Sequence, residues 1–218
     1  FFVTGVLGAP PAVLGLIEGL ADGTASVMKA TSGRLADLRH RRPLVAGGYG
    51  ISAFGKALLA LAGAWPMVLA ARFTDRVGKG LRGPPRDAII ADDTTLANRG
   101  RAFGFHRAAD TAGAVVGPLI GLGLYELVGQ QFGPLLWIAV IPAVVSAALV
   151  FLIRERSHPG IGRRRAWSLD GLPRRYWRLI AITGLFALVN FPDTLLLLRA
   201  DDFGYDFAGV VALYVLYN

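Results

Sequence analysis

The stretch from Trp65 to Asp92 constrains this chain most. It reads W-P-M-V-L-A-A-R-F-T-D-R-V-G-K-G-L-R-G-P-P-R-D-A-I-I-A-D, opening as an apolar helix and then filling with charge. Arg72, Arg76, Lys79, Arg82 and Arg86 recur three or four residues apart, which puts them on one face of a helix, with Asp75 next to Arg76 at its edge. The chain around them is 54% hydrophobic and only 17% charged over 218 residues, with a mean hydropathy of +0.49. Several apolar stretches approach the ~20 residues that span a bilayer. One charge at the bilayer centre costs about 2.5–3.5 kcal/mol, so a stripe of them has to face a bundle interior or a watery cavity. The expected fold is therefore all-α, a polytopic membrane helix bundle with a polar path through it.

The formal charge is +8 and the pI about 10.4. In a soluble protein that would suggest nucleic acid. Here much of the basic charge falls in short loops and in the stripe, so orientation and cavity chemistry account for it, and no nucleic-acid partner is expected. The 28 glycines suit closely packed membrane helices. With no Cys and three scattered His residues there is no metal signature, and no cofactor is expected. Gly78-Lys-Gly80 and Gly83-Pro-Pro85 invite a phosphate-loop reading, but G-x-x-x-x-G-K-[ST] is absent and nucleotide binding is rejected. The chain starts at Phe1 rather than Met and shows no signal peptide, so a piece of a longer protein is expected.

Complete spans are expected at residues 12–37, 43–63, 67–91, 101–127, 132–153 and 179–198, with helix fragments at 1–7 and 207–218. The turns between them sort by charge. Residues 39–42, Arg99/Arg101 and the loop 154–178 are basic and fall on one side; the turns at 8–11, 64–66 and 129–133 hold no Lys or Arg, and the turn 199–206 holds only Arg199. The positive-inside rule makes the basic side cytoplasmic. Setting Gly204 against Gly8 aligns residues 208–218 with 12–22, a weak internal repeat of the kind from which transporters are built.

At the basic turn the sequence is Gly33-Arg-Leu35-Ala-Asp37-Leu-Arg-His-Arg41-Arg42. This resembles the loop 2–3 signature of the major facilitator superfamily, with His40 at the place of the signature's second Gly. Arg72 resembles the fourth-helix Arg of that superfamily, at the usual distance before an Arg-Gly-Arg-Ala-x-Gly stretch beginning at Arg99. Gly113-x-x-x-Gly117-Pro118-x-x-Gly121 resembles its fifth-helix motif associated with antiporters. The resemblance implies that residues 1–153 are the N-terminal transmembrane half from the end of helix 1 to helix 6, that 154–178 are a cytoplasmic basic linker, and that 179–218 start the C-terminal half. It also implies that helices 1, 4 and 7 line a cavity. The charges sort in the same way: helix 4 carries the stripe and helix 7 carries Asn190 and Asp193, while outward helix 6 is bare and helix 3 has only Lys56.

Two uses are open for the acids. Glu18 and Asp22, four apart on one face of helix 2, and Asp110 in helix 5 could carry protons, since a partly dry carboxylate is readily shifted by burial or by a nearby Arg. They could equally pair with Arg72, Arg76, Lys79 or Arg107 as structural bridges. Asp75 is placed to neutralise Arg72 or Lys79. The surplus of bases could hold an anionic substrate or be absorbed by those acids. Arg82 and Arg86, near the cytoplasmic end, could simply snorkel to lipid phosphate. Gly78, Gly80 and Gly83 are expected to let helices 2 and 5 approach, Pro84-Pro85 to bend the helix, and Gly113 with Gly117 to give a small packing face. The resemblance adds a leak seal at Gly113, Gly117 and Pro118, and a cytoplasmic latch at Gly33, Asp37, Arg41 and Arg42. Asp193 could touch substrate or cap a kink after Pro192.

The expected function is a secondary active transporter with alternating access, not an enzyme, exporting a small solute or drug in exchange for protons. Substrate and cavity candidates are Arg72, Asp75, Arg76, Lys79, Asn190 and Asp193; proton-coupling candidates are Glu18, Asp22 and Asp110. The alternatives are an organic-anion uniporter or exchanger, a membrane enzyme acting on lipid phosphates through the Arg/Lys stripe, and a purely structural subunit. The expected partners are the lipid bilayer, protons and a small solute, in a monomer of the bacterial inner (plasma) membrane.

Overall fold

The structure, a computed structural model of the chain, describes residues 2–153, 171–189 and 192–218. Among these the chain forms α1 (Pro11–Leu38), α2 (Arg41–Ala60), α3 (Trp65–Asp92), α4 (Leu96–Leu127), α5 (Phe132–Leu149), α6 (Arg174–Val189), α7 (Asp193–Asp202) and α8 (Phe207–Tyr217), and no strand. A π-helical turn, Phe2–Val6, precedes α1, and a 3₁₀ turn, Val150–Leu152, closes α5. The all-α expectation holds, and α1 to α5 follow the expected spans. The later boundaries move. α6 starts at Arg174, inside the stretch expected as linker, and the single span expected at 179–198 is two helices with Pro192 at the N-cap of the second. α7 then runs through Arg199 to Asp202, so the turn before α8 is shorter than expected.

Local chemistry sets the starts. Pro11 opens α1 at a position whose N–H has no helical partner in any case. Asp206 caps α8 by accepting from the Gly209 N–H at 2.8 Å. Gly8 and Gly204 both sit at positive φ, +63° and +86°, three residues before a helix begins. The two positions aligned by the internal repeat thus make the same left-handed turn into a helix, which glycine adopts without strain.

The centre of the bundle is α3, packed against α2 and α1, with α5 behind α2. Gly48 meets Gly78 and Arg82, and Gly55 meets Ala71 and Asp75, so α2 runs antiparallel to α3. A Cβ added at Gly78 would lie 2.5 Å from the Gly48 carbonyl, and one at Gly55 would lie 2.7 Å from the Asp75 nitrogen. These contacts are backbone against backbone, the arrangement small residues permit in membranes. α1 runs parallel to α3, with Gly80 against Met28 and Gly33 against Pro84. The expectation that the α3 glycines admit helices 2 and 5 holds for helix 2, which is α1, and is corrected for helix 5, whose place is taken by α2. Gly80 admits α1, Gly78 admits α2, and Gly83 has nothing within 4 Å.

Pro84 lacks an N–H, so the Gly80 carbonyl four residues back has no helical donor. Ser32, 1% exposed on α1, donates its hydroxyl to that carbonyl at 2.8 Å. The helix thus continues through Pro84-Pro85 to Asp92.

α4 has no buried residue, and a Cβ at Gly113, Gly117 or Gly121 would meet nothing within 4 Å. The packing use expected of Gly113 and Gly117 is not seen, because α4 reaches its neighbours elsewhere: Tyr125 stacks with Phe132 and Phe207 at centroid distances of 5.0 and 4.6 Å. By length and composition, two described helical stretches, Leu96–Leu127 and Phe132–Leu152, are apolar enough to cross a membrane. Glu18 and Asp22 of α1 and Arg72 and Arg76 of α3 lower the hydropathy of their helices but turn toward one another.

Candidate functional site

The parallel register of α1 and α3 brings two acids against two guanidinium groups. Glu18 is 4% exposed. Its Oε1 lies 3.1 Å from Arg72 Nη2, and its Oε2 accepts from Arg76 Nη2 at 3.5 Å. Arg76 Nε lies 3.3 Å from Asp22 Oδ1, whose side chain is 63% exposed. Glu18 Oε1 and Arg76 Nε are buried without a hydrogen bond, so charge rather than aligned N–H groups holds the Arg72–Glu18 and Arg76–Asp22 contacts. Of the two uses open for these acids, pairing with Arg72 and Arg76 is what the geometry shows. Lys79 and Arg107, the other cations considered, pair with no acid within 4 Å among the described residues.

Asp75 turns away from that face. Its Oδ1 lies 3.4 Å from Lys56 Nζ on α2, so its direct ion pair is with Lys56 and not with Arg72 or Lys79. One residue is about 100° around a helix, and Gly55 lets α2 close on the Asp75 side. Lys56 is consequently tied to the bundle, although its helix carries no other charge between its first turn and its end. Arg82 also faces α2. Its Nη1 donates to Ser52 Oγ at 2.7 Å, Ser52 Oγ donates to the Asp75 carbonyl at 3.1 Å, and the guanidinium sits 4.3 Å from the Tyr49 ring centroid. That arrangement replaces the snorkelling expected of Arg82. Arg86 pairs with Asp87 at 3.2 Å.

Cavities lie at both ends of the cluster. One, of about 740 Å³, is lined by Lys29, Lys79, Arg82, Arg86 and Arg107 together with Asp87 and Asp110. The other, of about 400 Å³, is mainly apolar and is lined by Leu14, Val68, Arg72 and residues of α5, α7 and α8. Along α1 the order is Leu14, Glu18, Asp22, Lys29, and along α3 it is Val68, Arg72, Arg76, Lys79. The carboxylate–guanidinium cluster therefore stands between the two cavities.

The remaining candidates fall elsewhere. Asp110 faces the larger cavity, with His106 Nε2 3.5 Å away one turn before it. Asp193, first residue of α7, accepts from the Tyr217 hydroxyl at 3.2 Å and is not brought to the stripe. Asn190 lies outside the described residues. Arg41, 5% exposed, pairs with Asp92 at the end of α3, and its Nε donates to the Ala36 carbonyl at 3.3 Å. Arg42 donates to the Phe151 carbonyl and lies 5.8 Å from the Phe151 ring centroid. The basic turn is thus tied to the ends of α3 and α5. Sequence reasoning missed Lys56, Ser52, Tyr49, Ser32 and Asp92. A signal existed for Ser32, since a proline inside a membrane helix calls for a hydroxyl or other donor nearby.

Comparisons agree with this architecture. The chain is 30% identical over 203 residues to an uncharacterized protein of Mycobacterium tuberculosis, covering 85% of this chain and 49% of that one. It is 30% identical over 213 residues to an uncharacterized MFS-type transporter of Methanocaldococcus jannaschii, covering 94% of this chain and 53% of that one. Multidrug resistance protein MdtH of Aeromonas hydrophila is 36% identical over 115 residues, 53% of this chain and 29% of that one. The chain spans about half the length of the first two relatives. A crystal structure of the peptide transporter POT shares the fold at a TM-score of 0.60 and 19% identity, covering 94% of this chain and 41% of that one. The profile of one family matches residues 2–218. With that match over almost its whole length, the chain belongs to the Major Facilitator Superfamily, the transporters that act on small molecules within the membrane.

Proposed function

We propose that this chain forms the N-terminal half, residues 1–153, and the beginning of the C-terminal half, from residue 179, of a proton-coupled exporter of a small solute. The linker 154–178 and the other basic loops then lie on the cytoplasmic side of the plasma membrane. One observation carries the coupling: a carboxylate 4% exposed, Glu18, lies within 3.5 Å of two guanidinium groups between two cavities. Protonation cancels the charge that holds Arg72 and Arg76, frees both for other contacts, and biases the bundle toward its other state; a ligand, here the proton, shifts a conformational equilibrium only through such differential contacts. Asp22 extends the cluster, and Asp110 supplies a further acid in the larger cavity. The outward direction is supported by the resemblance to proteins named for multidrug resistance.

The test is proton flux. In everted vesicles holding a respiratory pH gradient, a panel of small solutes is added in turn while the gradient is followed by acridine quenching. Exchange predicts that a transported solute dissipates the gradient only where the protein is present. Solute movement with no proton movement sinks the coupling. It would support the second reading, an organic-anion uniporter or exchanger, which the cation-lined cavity favours. Family and fold point to a transporter rather than an enzyme.

A further inference from the structure

The 740 Å³ cavity at the Lys79 end of α3 is lined by five cations and only two carboxylates. Local pairing does not remove the difference. Asp87 is taken by Arg86 at 3.2 Å, and Asp110, which has the His106 ring beside it at 3.5 Å, can offset only one of the remaining cations. Arg82 is held by neutral groups, the Ser52 hydroxyl and the Tyr49 ring. Lys29, Lys79 and Arg107 form no ion pair with any acid of the described residues. Glu18 and Asp22 are engaged by Arg72 and Arg76, and Asp75, the acid of α3 nearest in sequence to Lys79 on its N-terminal side, is engaged by Lys56. Uncompensated cations in a cavity walled by membrane helices are costly unless a counter-charge joins them. The second cavity has no such surplus, since Arg72 there is matched by Glu18 and the other polar lining includes Asp201.

We propose that the larger cavity binds a molecule through an anionic carboxylate or phosphate group, held by Lys29, Lys79 and Arg107. The lysines act as point charges, and the Arg107 fork donates to two oxygens of a carboxylate or phosphate side by side. A volume of about 740 Å³ leaves room for the rest of a small organic molecule. This names the substrate chemistry of the proposed transporter and rests on that reading; the anion sits at the Lys79 end, while Arg72 and Arg76 keep their acids.

Binding in detergent tests it without transport. The melting temperature of the purified protein is measured against inorganic phosphate and succinate at constant ionic strength, with chloride as reference. The expected result is a saturable rise of a few degrees with one of the two anions, lost in Lys79→Gln and Arg107→Gln, kept in Arg199→Gln at the exposed α7 pair, and restored in Lys79→Arg. Native mass spectrometry forms the second arm. Phosphatidylglycerol retained by the wild type, displaced by phosphate and lost in the two Gln variants assigns the same anion site to a lipid headgroup. A shift that is absent, or equal in every variant, with no variant-dependent lipid, overturns the proposal. Proton flux plays no part in this readout, so this proposal and the exporter reading can each fail alone.

Discussion

Glu18 and Asp22 are four residues apart and pair with the same guanidinium, yet their surroundings differ. The Glu18 side chain is 5% exposed and the Asp22 side chain 63%. Removing one partner of a buried ion pair leaves a desolvated charge and costs about 3–5 kcal/mol, whereas exposed pairs contribute about 0–1 kcal/mol. Glu18→Ala is expected to lower stability by several kcal/mol and Asp22→Asn by less than ~1 kcal/mol. Denaturation of the purified variants checks the order, and equal losses contradict it. The spacing of Glu18 and Asp22 put them on one face and was legible in the sequence. Which of them is buried was not, because that depends on how deeply α1 sets against α3. Asp75 shows the same limit: its place on the stripe said nothing about which neighbour it faces, and a close approach at Gly55 decided for Lys56.

Helix packing here depends on glycines that look alike in sequence. Gly78 would put a Cβ at 2.5 Å from the Gly48 carbonyl, while Gly117 would meet nothing within 4 Å. Gly78→Ala is expected to destabilise by about 1–3 kcal/mol, the usual range for overpacking. Gly117→Ala stays within about 0.5 kcal/mol, as for surface positions. Thermal melting of the pair checks this, and a larger loss for Gly117→Ala would contradict the packing. The spans of α1 to α5 were readable from apolar length and charge, but the partner of each glycine was not. Ser32 and Pro84 give a sharper test of the α1–α3 contact. Ser32→Ala removes the donor to the Gly80 carbonyl and should cost about 0.6–1.7 kcal/mol, the range for interhelical hydrogen bonds in membranes. In a Pro84→Ala background the restored N–H supplies that carbonyl, so the same substitution should cost markedly less. A double-mutant cycle with no coupling rejects the arrangement.

Across the whole molecule, the sequence motifs were enough to reach the superfamily, and the charge asymmetry of the turns suggested an orientation. The chain has no cysteine, so single cysteines report sidedness without background. Cysteine at Arg39 is expected to react with a membrane-impermeant maleimide only from the cytoplasmic face, and cysteine at Gly63 only from the opposite face; the reverse pattern inverts the orientation. Less legible were the two cavities and the cluster between them, because both arise from the parallel register of α1 and α3 and not from either helix alone. In the proposed mechanism, Glu18 is the group through which a proton would act on both cavities. The decisive measurement is the number of protons moved per solute molecule in proteoliposomes, wild type against Glu18→Gln, under one imposed pH gradient. The account predicts that this ratio falls at least tenfold in the variant. An unchanged ratio would show that the proton travels elsewhere and would remove Glu18 from the mechanism.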